Sequence, residues 1–169
     1  MNIGLGGGCH WCTEGIFQSL KGVTKVDQGW ISGEIPHENY SEAILIEFDE
    51  NIISLDTIIE IHLLTHSSEA AHSFRNKYRS AIYFFDEEQF QSVTHILIKL
   101  SEKFKKKFIT RAIRFKDFKL NKADQLDYFY TRPEAPFCET YIIPKIKMLI
   151  NSHSDVINTK ALNVIDNYC

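Results

Sequence analysis

Residues 9 to 14 of this 169-residue chain bring two thiols, an imidazole, an indole and a carboxylate into six positions, Cys9-His10-Trp11-Cys12-Thr13-Glu14, entered through Gly6-Gly7-Gly8. Three glycines between a strand candidate (Asn2 to Leu5) and a helix candidate (Thr13 to Leu20) let the backbone turn tightly and approach a ligand closely. Cys9 then stands just ahead of the helix, where unpaired N–H groups and the positive end of the dipole favour a thiolate. The chemistry this predicts is that of a nucleophilic cysteine at neutral pH, with Trp11 as a flat apolar wall. Other readings of the same residues are weaker. A phosphate cradle wants Gly-Lys-Ser/Thr after the glycines, and none follows. A zinc site from Cys9, His10 and Cys12 needs an outside ligand, and adjacent residues strain to meet one ion. Cys-x-x-Cys spacing also fits a thioredoxin-like redox pair.

The elements that must position these groups follow from periodicity. After the first helix, Val23 to Ile31 is β-like and Ser32 to Asn39 is a loop. Tyr40 to Phe48 alternates as a strand, with Tyr40, Glu42, Ile44, Ile46 and Phe48 on one face. Ser54 and Asp56 open an amphipathic helix to about Leu64. A polar stretch, Thr65 to Lys77, leads to the strand Tyr78 to Phe85. Asp86 and Gln89 make a capping box for a helix striped by Phe90, Val93, Leu97, Leu100 and Phe104. Phe108 to Phe115 is a further strand. The order β-α-β-β-α-β-α-β predicts an α+β fold, a two-layer sandwich with a ferredoxin-like split β-α-β core. Past Asp117 we expect short helices near 122–130 and 140–150, then a tail at about 150–169, all within one domain spanning 1–169.

Composition bounds the rest. A net charge of −3, 44% hydrophobic and 24% charged residues fit an ordinary globular domain and exclude a disordered chain. No apolar run approaches the roughly 18 residues of a membrane span. The first residues lack the regions of a signal peptide, and four cysteines are too few for a disulfide scaffold, so the expected compartment is the reducing cytoplasm. Residues 103–122 hold nine of the nineteen Lys and Arg, with Phe108, Phe115 and Phe118 interleaved. Alternation there reads as one wet and one buried strand face rather than an RNA-binding surface. His62, His66 and His72 lack the carboxylate or thiol company of a metal site.

Gly-Gly-Cys-His-Trp-Cys-Thr-Glu with Phe17 and Leu20-Lys21-Gly22-Val23 resembles the start of class A peptide methionine sulfoxide reductases, which typically read Gly-Cys-Phe-Trp, an acidic residue, then Leu-x-Gly-Val. Ser41-Glu42-Ala43, Tyr78-Arg79-Ser80-Ala81-Ile82 and Asn167-Tyr168-Cys169 resemble later family segments in order and spacing. The likeness covers residues 3–100 well and 101–169 loosely. It implies reduction of methionine S-sulfoxide, in protein or free, without metal or organic cofactor, by an external thioredoxin-type reductant. No nucleic acid or membrane partner is implied, and we expect a monomer. Two alternatives stand beside it: an enzyme of this fold acting on another sulfoxide or disulfide, and a non-catalytic redox sensor built on Cys9 and Cys12.

Under that resemblance Cys9 is the nucleophile, passing through a sulfenic acid. Glu42 is the proton donor, its carboxyl at the end of an apolar row losing solvation. Tyr78 matches the tyrosine that binds the sulfoxide oxygen. Trp11 and His10 line the methyl pocket. His10 replaces the usual phenylalanine and adds a titratable group, which when protonated would acidify Cys9 and when neutral could shuttle a proton. Cys12, Cys169 and Cys138 compete to resolve the sulfenic acid. Cys12 is preferred because its reach needs no tail docking, and Cys169 comes next. The family tyrosine ahead of Glu42 has no clear counterpart, and Tyr40 is the substitute. The aspartate five residues before the Tyr-Arg-Ser segment is replaced by Ser73.

Overall fold

The computed structural model describes residues 1–70 and 73–168. The expected order of elements is present: β1 (Asn2–Gly6), α1 (His10–Gln18), β2 (Val23–Gly33), β3 (Ser41–Phe48), α2 (Leu55–Thr65), β4 (Ala81–Phe84), α3 (Glu87–Phe104) and β5 (Arg111–Leu120). Beyond them come α4 (Tyr128–Thr131), a π-helical turn Cys138–Ile142, α5 (Ile143–Ser152) and α6 (Thr159–Tyr168). The capping expectations hold, with Ser54 Oγ accepting from the Thr57 N–H and Asp86 Oδ1 from the Gln89 N–H.

The α+β class and the split β-α-β unit are both present. β3 lies between β1 and β2, antiparallel to each, so β1-α1-β2 is the split unit. The sheet goes further than an open layer. β5 pairs with β2, β4 lies parallel to β5, and β4 returns to β1, closing the ring β1-β3-β2-β5-β4. Period-two alternation sorts the side chains. Ile3, Leu5, Ile44, Ile46, Phe48 and Ile82 join the helices in the main core. Ile31, Ala43, Ala81, Tyr83 and Ile113 fill the inside of the ring. That interior is narrow: a Cβ on Gly4 would stand 2.5 Å from Ile31 Cδ1.

Several boundaries differ from the periodicity; α1 starts at His10 rather than Thr13 and β2 runs on to Gly33. β4 begins at Ala81, not Tyr78, because the backbone of 77–79 is engaged by the start of β3. The Lys77 carbonyl accepts the Glu42 N–H and Ser41 Oγ, and that hydroxyl accepts the Arg79 N–H. β5 runs from Arg111 to Leu120, since the Ile109 N–H is taken by the Ser68 carbonyl and the strand continues along β2. Phe115 and Phe118 pack on the ring interior and Phe108 on the main core, which gives the basic stretch its buried side. The expected tail instead carries α6, anchored by buried Ala161 and Ile165. No helix among the described residues is long and apolar enough to cross a membrane.

Candidate active site

The glycine turn ends β1 and delivers the chain to α1. Gly7 has φ +152°, and a Cβ there would fall 2.4 Å from the His66 ring, so both conformation and space demand glycine. His66 packs beneath this turn, its Nε2 2.8 Å from Ser80 Oγ, which lies 2.7 Å from Thr110 Oγ1. Burial pushes the His66 imidazole down to about 4. The Arg75 guanidinium donates to the Gly7 and Tyr78 carbonyls, tying the turn to the segment before β4.

Cys9 is the N-cap of α1 and half-buried. The Trp11 and Cys12 N–H groups of the first turn favour its thiolate, without a side-chain capping hydrogen bond to the sulfur. The Cys12 thiol donates to it, and this is the largest influence. Against burial and the nearby Glu42 carboxylate, the net effect lowers the Cys9 thiol to about 7. The partner moves the other way: the hydrogen bond with Cys9, then burial, push Cys12 far above the ordinary thiol range. Of the two thiols, Cys9 is therefore the one that ionises first. Iodoacetamide should alkylate Cys9 with a pH midpoint near 7, against 9 for an unperturbed thiol. A midpoint above 8.5, followed by mass spectrometry of the Cys9 peptide, would contradict this geometry.

Glu42, buried as the strand pattern requires, faces α1 from the start of β3. Its Oε2 accepts the His10 N–H at 3.2 Å. Its surroundings are not only apolar, however: the Lys77 ammonium lies 3.1 Å from Oε1. Tyr78 meets the same ammonium, which stands 5.0 Å from its ring centre. The Tyr78 hydroxyl, then Glu42, raise the pKa of Lys77. Cys9, Glu42 and Tyr78 are thus linked at one end of the ring, with a lysine between the last two.

A family model described as peptide methionine sulfoxide reductase matches residues 1–157. A peptide methionine sulfoxide reductase MsrA of Sulfolobus acidocaldarius is 32% identical to the chain, covering 89% of it and 94% of the relative. One from Thermus thermophilus is 30% identical, over 85% and 89%. The chain belongs to the peptide methionine sulfoxide reductase family. Solved structures agree on the fold. Reduced Mxr1 from Saccharomyces cerevisiae superposes with TM-score 0.71 at 18% identity, covering 83% of this chain and 90% of that one. Mxr1 in complex with Trx2 gives 0.59 at 18% identity, over 76% and 84%.

Within this peptide methionine sulfoxide reductase fold, the remaining expected site residues divide. The His10 ring is buried against Gly29, Asn121 and Trp30, with Nδ1 3.4 Å from the Gly29 carbonyl and Nε2 3.5 Å from Asn121. Burial lowers its pKa, and His10 is not among the groups that acidify Cys9, so its acidifying role is replaced by the Cys12 thiol. Trp11 stacks on Tyr128 at 4.4 Å and meets Phe137 edge-on at 5.5 Å. Tyr40 turns to β5, donating to Asp117 with Lys119 over its ring, and so is not drawn onto the Cys9–Glu42 cluster.

Of the competing thiols, Cys12 is in hydrogen-bond contact with Cys9. Cys138 is fully buried in the π-helical turn, and burial raises it to about 11. Cys169 lies outside the described residues, as does His72 of the three-histidine reading. His62 and His66 stack at 4.2 Å beneath the turn, and no metal-holding group of three occurs among the described residues.

Three groups went unseen in the sequence, Lys77, Tyr128 and Phe137, and Glu14 was seen only as the acidic end of the motif. Buried Glu14 accepts from the Asp127 and Tyr128 N–H groups and from Gln28 Nε2 at 2.9 Å. It thereby fixes the segment that carries Tyr128 onto Trp11. The acidic residue after the Cys-x-x-Cys motif was the visible half of this contact.

Proposed function

We propose that this chain reduces methionine S-sulfoxide, protein-bound or free, to methionine at Cys9. The observation that carries the reading is a thiol lowered to about 7 at the start of α1, beside the linked Glu42, Lys77 and Tyr78. The Cys9 thiolate attacks the sulfoxide sulfur. The sulfur–oxygen bond breaks, the oxygen and one proton end on Cys9 as sulfenic acid, and the thioether leaves. Glu42 and Tyr78 hold the oxygen and manage that proton. Trp11, backed by Tyr128 and Phe137, gives the S-methyl group an apolar wall. The Cys12 thiol then attacks Cys9 Sγ, forming the disulfide and releasing water.

A thioredoxin-type dithiol returns both cysteines to thiols, in keeping with the complex of the structural relative Mxr1 with Trx2. Epimer preference follows from the class A resemblance. Methionine formation from the separate S and R sulfoxides, with dithiothreitol as reductant, tests the proposal. S-selective turnover is expected. A rapidly formed Cys9–Cys12 disulfide without turnover of either epimer would favour the redox-sensor reading instead.

A further inference from the structure

The geometry points to a binding subsite for a carboxylate side chain of the client polypeptide, in the cavity at the mouth of the strand ring lined by Arg75, Arg79, Arg111 and His37. The inference deepens the reading that Cys9 reduces methionine sulfoxide in protein, and rests on it. The cavity has a volume of about 310 Å³, and Ser80 and Ile113 also line it. Three of the chain's five arginines meet there, and among the described residues no aspartate or glutamate does. Neighbouring cations of β5 are paired: Arg114 with Glu34 at 3.5 Å and Lys116 with Glu38 at 2.6 Å. Among the described residues Arg75, Arg79 and Arg111 form no ion pair. Burial, then the Arg79 and Arg111 charges, lower the His37 pKa, so both guanidinium groups are felt across the cavity. Like charges sharing a cleft repel one another and focus a positive potential that an anion relieves.

The three guanidinium groups are not equivalent. Each has five N–H donors. Arg75 spends all of its own on the Ser67, Ala70, Gly7 and Tyr78 carbonyls, so it adds charge and holds the wall. Arg79 donates to the His37 and Asn39 carbonyls and to the Tyr83 hydroxyl, which leaves two N–H groups unspent. The exposed Arg111 side chain donates to nothing among the described residues. Unspent guanidinium donors match the two oxygens of a carboxylate, a chemistry that phosphate shares. Position favours the client as its source. β1 ends with Gly6 opposite Ala81, the first residue of β4, and Ala81 stands opposite Arg111, the first of β5. A Cβ on Gly6 would fall 2.9 Å from the Arg79 carbonyl oxygen, and Arg75 Nη1 meets the Gly7 carbonyl at 3.3 Å. The cavity therefore shares its wall with the turn that presents Cys9. At roughly 3.3 Å per extended residue, a polypeptide held at that turn passes these charges within a few residues of its oxidised methionine.

The test compares kcat/KM for methionine S-sulfoxide peptides that differ only in one flanking residue, aspartate or asparagine, moved along either flank. Wild type should favour the acidic peptide about three- to fivefold at its best position, and added salt should erase the preference. Arg111→Gln should bring the ratio close to unity while leaving the asparagine peptide unchanged, which a folding defect would not do. Arg114→Gln removes the same charge from a paired neighbour and should keep the preference. Binding of the unoxidised peptides to Cys9→Ser, followed by fluorescence anisotropy, reads the subsite without turnover, and inorganic phosphate should displace only the acidic peptide. Equal kcat/KM for the two peptides in wild type, or a preference that survives Arg111→Gln, overturns the proposal. So does phosphate binding that Arg111→Gln abolishes with no difference between the peptides, which would assign the cavity to a free oxyanion. If wild type reduces no sulfoxide while acidic-peptide binding still depends on Arg111, the functional reading falls and the carboxylate site stands.

Discussion

Cys9→Ser should abolish sulfoxide reduction, with kcat/KM down by at least about 10⁴-fold. Serine is a favoured residue at a helix N-cap, and Cys9 makes no side-chain capping hydrogen bond to lose, so the helix should be kept and the variant should fold. The chemistry is lost because an alkoxide is inaccessible near neutral pH and oxygen is a poor nucleophile toward sulfur. No sulfenic acid would form on treatment with methionine S-sulfoxide, which a dimedone probe reads directly. Residual turnover within about a hundredfold of wild type would place the nucleophile elsewhere.

Cys12 carries the second large effect, and its two roles separate by substitution. In Cys12→Ser the first turnover should proceed, giving one methionine per enzyme, and turnover driven by a thioredoxin-type reductant should then stop. The serine hydroxyl still donates to the Cys9 sulfur, so the alkylation midpoint should remain near 7. In Cys12→Ala that donor is gone, and it is the largest influence holding Cys9 down. Removing a hydrogen bond to the charged form raises a thiol's pKa, so the midpoint should climb by about one unit. The same contact makes Cys12 reactive in the right order. It stays protonated while Cys9 is a thiolate, and loses that restraint once Cys9 carries oxygen. Full steady-state turnover in Cys12→Ser, lost instead in Cys169→Ser, would move the resolving role to the terminal cysteine.

What could be read from the residues alone was local. The glycine turn, the N-cap place of Cys9 and the inward face of Glu42 follow from conformational freedom, helix ends and strand alternation, each acting over a few positions. The element order follows for the same reason. Lys77 could not be found this way, because its place depends on a backbone contact between a polar loop and a strand 35 residues earlier. Tyr128 and Phe137 are set on Trp11 through Glu14, across more than a hundred positions. The start of β4 was misjudged because alternation describes side chains, whereas Ser41 had claimed the backbone of 77–79. His10 was given an acidifying or a proton-shuttling role, and what alternation and spacing did not reveal is that its ring is buried, which lowers its pKa.

The closure of the strand ring bears on how a damaged protein would be handled. Among the described residues every strand has a neighbour on both sides over part of its length, so the sheet offers a partly unfolded chain only short stretches of free edge, chiefly residues 23–28 of β2, along which to add itself as an extra strand. On the proposed reading the clients are oxidised proteins, whose exposed backbone is prone to such pairing. Recognition is then left to the oxidised side chain and whatever flanks it at the glycine turn. A reductase built this way can visit one methionine after another on a frayed client and let go each time, rather than becoming part of its aggregate.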